Sequence, residues 1–298
     1  MKKIDQIIAR LAGRWHSRRA TVEDRAHLLS RLLRATRDLD LAQRVLQTNR
    51  FRKAIRPELM AHPTGQRLLV FAPHQDDEII GCGGVFLKSL RAGREIQVIY
   101  VTDGASPKLT GEDRRRYVAR RHEEAQKIWM SMGGNAPIFW DLPGRQLPLN
   151  EATATRFAEA ISDFRPDCLF IPFFLEDPHD HRKLSHLLWM AYQQHQLPEH
   201  EVWAYQVTSM ICPNVAVDIT EVESEKHRLM QMWVSQNQSF DYAHRARGLN
   251  AANALYVDGV LKGVARPYVE LFFVEPMASY QEVIGHYFEG AIDADIYG

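Results

Sequence analysis

From about residue 66 the spacing of apolar positions switches repeatedly between continuous runs and helical periodicity. Leu68-Leu-Val-Phe-Ala72 is an unbroken apolar run, the pattern of a strand covered on both faces. A glycine-rich turn and a helical segment over 85–92 follow, and Ile96-Gln-Val-Ile-Tyr-Val101 predicts the next strand. Residues 113–132 carry an amphipathic helical pattern that Gly133-Gly134 brings to an end. Further strands are expected over 137–140 and 168–174, with helices over 151–164 and 183–195. Such alternation builds βαβ units, hence an α/β domain whose mostly parallel sheet lies between two helical layers. Beyond residue 200 the pattern predicts strands over 202–208, 215–219 and 268–274, and a helix over 221–234.

The first sixty residues read differently. Ile4, Ile7, Ile8 and Leu11, and then Leu28, Leu29, Leu32 and Leu33, recur at helical spacing, so residues 3–56 are expected to be helical. Pro57 and the turn Pro63-Thr-Gly65 set a boundary near residue 60, giving an N-terminal helical extension (1–60) and an α/β domain (61–298). Net charge is zero, but residues 1–56 hold 15 Lys/Arg against 5 Asp/Glu, leaving 22 against 32 elsewhere. A split of this kind fits a basic arm that binds a surface, or an appendage whose arginines face water or the acidic body. No apolar run approaches the roughly 20 residues that span a bilayer. The N-terminus lacks the apolar core and cleavage site of a secretory signal. Cys82, Cys168 and Cys212 form no CxxC pair, which argues against a disulfide framework or a cysteine zinc site and makes the cytoplasm the expected compartment.

Two polar clusters interrupt the apolar pattern. His74-Gln-Asp-Asp-Glu78 follows the first strand of the domain, and Asp177-Pro-His-Asp-His181 follows the 168–174 strand. In open parallel sheets ligands sit outside the carboxyl ends of the strands, so both clusters can meet at one rim. His74 and Asp77 point the same way if their loop curls into a turn. One histidine of the second cluster then completes a His2Asp set, the composition of a catalytic zinc site with a position left for water. Asp76, between the proposed ligands, is placed to act as general base on that water. Three consecutive carboxylates repel one another unless a cation lies among them. The plainer alternatives are an acidic helix start and a surface histidine pair.

Ala72-Pro-His-Gln-Asp-Asp-Glu78, with Gly81-Cys-Gly-Gly84 after it, resembles the signature of the LmbE-like, or PIG-L, zinc-dependent N-deacetylases of N-acetylglucosaminyl compounds. Thr102-Asp-Gly104, Arg121-His-Glu-Glu-Ala125 and Asp180-His-Arg182 are similar to further markers of that family, with weaker ones at Lys226, Ser235-Gln236 and Tyr268–Phe272. The resemblance runs over roughly residues 66–275. It implies a Rossmann-like three-layer fold and Zn2+ (or another divalent metal) on His74, Asp77 and His181. It further implies Asp76 as base, Arg121 on the substrate, and Glu78 and Asp180 as supporting groups. The reaction implied is hydrolysis of the N-acetyl group of an amino sugar or glycoconjugate. No recognition motif accompanies the basic charge, so nucleic acid is not an expected partner. The basic arm would bring the enzyme to membrane surfaces or glycolipids. Two positions depart from the pattern: Gln75 replaces a proline, and Pro178 stands where the family has a histidine that stabilises the oxyanion. His179 is the nearest group to take over that role. The alternative reading is a weakened family member that binds carbohydrate without hydrolysing it.

Overall fold

The five residues Leu68 to Ala72 are all fully buried, because alternate side chains of this strand enter two different cores. Leu68, Val70 and Ala72 face one core, while Leu69 and Phe71 face the other. A strand with an apolar layer on each side has no polar face, which explains its continuous apolar sequence. The computed structural model describes residues 56–289 apart from 239, 258–260 and 262, together with residue 44. The expected helices over 3–56 otherwise lie outside the described residues.

The strands are β1 (Glu58–Met60), β2 (Arg67–Ala72), β3 (Glu95–Thr102), β4 (Ile138–Leu142), β5 (Cys168–Pro172), β6 (Glu201–Tyr205), β7 (Val215–Asp218) and β8 (Val269–Pro276). They form one sheet in the order β1-β7-β8-β6-β5-β2-β3-β4. All pairings are parallel except those of β8, which runs antiparallel to β6 and β7. One layer holds α1 (Asp77–Arg91), α2 (Gly111–Met132), α5 (Glu223–Gln231) and α7 (Tyr242–Asn253). The opposite layer holds α3 (Glu151–Phe164), α4 (His179–Gln194) and α8 (Met277–Phe288). A short helix, α6 (Val234–Asn237), precedes α7. This is the expected Rossmann-like three-layer arrangement. No helix among the described residues is long and apolar enough to cross a membrane.

Several local rules hold at the element ends. Asn150 caps α3 by accepting the Thr153 N–H at 2.9 Å, and Gly133 ends α2 in the left-handed conformation at φ 74. The glycine-rich turn is the main correction. Gly81, Gly83 and Gly84 lie inside α1, which begins at Asp77 rather than near residue 85. Each glycine costs about 1 kcal/mol of helix propensity relative to alanine, but packing leaves no room for alternatives. A Cβ on Gly84 would sit 2.5 Å from Ile219 Cγ2, and one on Gly81 would sit 2.7 Å from the Gln206 carbonyl oxygen. Close approach of α1 to the sheet therefore overrides propensity. In addition, Glu58–Met60, inside the proposed extension, forms the edge strand β1 paired with β7.

Candidate metal centre

Strand order brings the two polar clusters together. The chain runs outward from β2 through β3 to β4, then returns to β5 on the other side of β2. The carboxyl ends of β2 and β5, which are direct neighbours in register Leu68↔Cys168 to Val70↔Phe170, thus flank the switch point. Helix α1 starts within the first cluster and α4 within the second, so both helix N-termini converge on one cavity of about 590 Å3.

Donor atoms of His74, Asp77 and His181 lie within 4.8 Å of one another, enough to hold one metal ion. Asp77 Oδ2 lies 3.0 Å from His74 Nδ1 and 3.2 Å from His181 Nε2, and it accepts the His74 backbone N–H at 2.9 Å. The far side of the His74 ring is held too: Nε2 is 3.1 Å from Asp180 Oδ2, which also accepts the Arg145 backbone N–H at 2.6 Å. A carboxylate behind a ligating imidazole fixes its orientation and raises its basicity. Behind His181, Glu176 Oε2 stands 3.9 Å from Nδ1. Glu176 is fully buried and accepts hydrogen bonds from the backbone of Val207, Thr208 and Ser209 and from the Thr208 hydroxyl.

These contacts set the charges. Burial alone lowers the His74 pKa, but Asp77 and Asp180 outweigh it and raise it to about 10. Burial acts on Asp77 in the opposite sense to its two histidines, which hold its carboxyl far below the usual range. Asp76 is raised to about 7 by burial, with Arg121 opposing and Asp77 adding to the rise. Glu78 is pushed up to about 8 by burial.

The sequence-expected residues fall into two groups. His74, Asp76, Asp77, Arg121, Asp180 and His181 line the cavity together, and so does His179. Glu78 turns into the core instead, where Tyr100 OH donates to its Oε1 and Trp129 Nε1 donates at 3.3 Å. Asp76 has an unusual backbone, with φ 137 and ψ −28, for a residue that is not glycine. Strain of this kind costs on the order of 1–3 kcal/mol and persists only where neighbours enforce it. Sequence reading missed Glu176, although a further carboxylate directly before the second cluster was a usable signal. It also missed Tyr242, Arg245 and Leu249, which α7 contributes to the cavity wall.

Residues 69–192 match the family model described as GlcNAc-PI de-N-acetylase (PIG-L). Among solved structures, N,N'-diacetylchitobiose deacetylase from Pyrococcus horikoshii aligns with a TM-score of 0.62 at 21% identity, covering 73% of this chain and 86% of its own. The 4-carboxy-2-hydroxymuconate hydratase of Pseudomonas putida aligns at 0.59 and 21% identity, covering 70% and 95%. The zinc-inhibited form of teicoplanin deacetylase aligns at 0.52 and 16%, covering 70% and 98%. At such identities the likeness is one of fold, and that fold serves deacetylases and a hydratase alike. The family match spans both clusters, from the strand before His74 into the helix that begins at His179.

Proposed function

We propose that this protein is a metal-dependent hydrolase that removes the N-acyl group, acetyl in the simplest case, from an amino sugar or glycoconjugate. The observation that carries the reading is the convergence of His74, Asp77 and His181 beside the Asp76 carboxylate in one cavity. The donor set suits zinc: two imidazole nitrogens face a single carboxylate oxygen, a geometry that needs a cation or a proton between them. Asp180 behind His74 supplies the outer support that such ligands ordinarily have. Bound zinc supplies Lewis acidity and lowers the pKa of water to about 7.

The remaining steps belong to the chain. Asp76 takes a proton from the attacking water as the oxygen–carbon bond forms, and gives it to the amine nitrogen as the carbon–nitrogen bond breaks. The products are a carboxylate such as acetate and a free amino sugar. His179, on the cavity wall, is the proposed donor to the carbonyl oxygen as that oxygen gains charge. Tyr117, Gln236 and Tyr242 give the wall polar groups on apolar frames, and Leu109 and Leu249 give it apolar patches, a mixture suited to a sugar ring. An N-acetylated amino sugar also fits the substrate named for the similar N,N'-diacetylchitobiose deacetylase.

The test is release of free amine from a panel of N-acetylated glycosides and nucleotide sugars by zinc-loaded protein. Wild type is expected to turn over at least one of them. Asp76→Asn is expected to lose about 100-fold or more in rate, the scale of a general base, while keeping its zinc. Turnover by Asp76→Asn near the wild-type rate, with zinc retained, rules out the assigned base. Pro178 favours a second reading, because it offers no donor where the family pattern has a histidine. Zinc-loaded protein that binds acetylated sugars but releases no amine from any of them would favour a carbohydrate-binding role.

Residues 1–56 are proposed as a basic arm that takes this domain to anionic membrane surfaces from the cytoplasmic side. Equal, negligible co-sedimentation of full-length protein and a 57–298 fragment with phosphatidylglycerol vesicles would remove that idea.

A further inference from the structure

Gln75 occupies the position where the family signature has proline, and it is fully buried. Both ends of its side-chain amide are in use. Nε2 donates to the Thr102 carbonyl at 3.0 Å, and Oε1 accepts from Arg121 Nε at 3.4 Å. Arg121 returns the contact, because its Nη2 donates to the Gln75 main-chain carbonyl and lies 3.4 Å from Asp76 Oδ1. Its Nη1 donates to Ser235 Oγ at 3.5 Å, and the guanidinium lies 5.1 Å from the Trp233 ring centroid. Arg121 is 1% exposed, and each of its three guanidinium nitrogens has a partner within the protein.

The Gln75 carbonyl and the Asp76 N–H are opposite edges of one peptide plane, and rotation of that plane against the Asp76 Cα is the φ of Asp76. Arg121 holds the carbonyl edge, and Glu78 Oε2 accepts from the N–H edge at 3.2 Å. The plane is therefore pinned at both edges, which is what a φ of 137 at an aspartate requires. Proline restrains a loop through its ring; here Gln75 ties the loop to the end of β3 and to α2 through hydrogen bonds. We infer that Gln75 and Arg121 form a positioning clamp that holds Asp76 in its strained, cavity-facing conformation, with Arg121 acting on the base rather than on the substrate.

The kinetic arm of the test rests on the deacylase reading; an exchange arm stands apart from it. Gln75→Leu keeps the volume and removes both amide contacts, and Arg121→Lys keeps the charge and removes the fork. Each is expected to lower kcat by about 10- to 100-fold, the scale of a misplaced catalytic group. KM should stay within about twofold and zinc content should not change, because uniform binding is untouched. A rise in KM with kcat retained would make Arg121 a substrate ligand and overturn the clamp, and so would an unchanged kcat. If wild type turns over no substrate, the proposed function fails and amide exchange decides alone. Exchange over residues 75–78 should then quicken about tenfold relative to β2 as the pinned plane opens locally; equal exchange in wild type and either variant overturns the clamp.

Discussion

Glu270 on β8 and Lys226 on α5 form a buried ion pair, 2.7 Å apart and 0% and 3% exposed at the side chains. Lys226 Nζ also donates to the Ile80 carbonyl at 2.7 Å and to Asn250 Oδ1 at 2.8 Å. Glu270 accepts the backbone N–H groups of Gly84 at 2.7 Å and Val85 at 2.8 Å. The pair thus grips α1 at a carbonyl and at the amide four residues later. Replacing Glu270 by leucine leaves the ammonium buried without its counter-charge, which costs about 3–5 kcal/mol by the usual scale for breaking such a pair. With about 2–4 °C of Tm per kcal/mol for a domain of this size, the expected fall is about 6–20 °C. Lys226→Met should cost a similar amount. The double variant should cost less than either single one, because no charge then remains buried without its counter-charge. Calorimetry of the three variants, with guanidinium titration as a second probe, measures the coupling. A single variant within about 1 kcal/mol of wild type, or a double variant that equals the sum of both, would refute this account of the pair.

Zinc binding should expel the proton that His74 holds between Asp77 and Asp180, so affinity should climb about tenfold per pH unit from neutrality toward pH 10, with one proton released. Calorimetry in buffers of different ionisation enthalpy counts that proton, and a pH-independent affinity would contradict the assignment. The same raised pKa has a stability consequence for metal-free protein. Its contribution is complete below the unfolded value near 6.5 and is lost as pH rises through about 10, so the metal-free Tm should decline over that window. Asp180→Asn should weaken zinc binding by about 10- to 100-fold in a chelator competition by loosening the His74 ring. Gly84→Ala gains about 1 kcal/mol of helix propensity but drives a Cβ to 2.5 Å from Ile219. Overpacking of this kind costs about 1–3 kcal/mol, so the Tm should fall rather than rise.

The boundaries that sequence missed have identifiable causes. Helix α1 was hidden by three glycines whose propensity argues against a helix, while the need for close packing against Ile219, Tyr205 and Gln206 lies outside the segment. Helix α7 buries Ala243, Ala246, Asn250 and Asn253, residues too small or too polar to raise a hydrophobic period. Helix α8 did carry a signal, since Met277, Tyr280, Ile284 and Phe288 share one face. Strand β1 is three residues long and only half buried, too short for any period to register.

By itself the sequence determined the alternation of strands and helices, the mostly parallel sheet and the two polar clusters at strand ends. It could do so because apolar periodicity and ligand chemistry are local properties, written within a few residues of each other. Tertiary structure alone decided that β5 lies beside β2, which turns two clusters about a hundred residues apart into one set of donors within 4.8 Å. It also decided that Glu78 faces Tyr100 and Trp129, that Glu270 grips α1, and that Arg121 lies against Gln75 and Asp76. Those pairings follow from which surfaces meet when the layers close, and no local pattern encodes them.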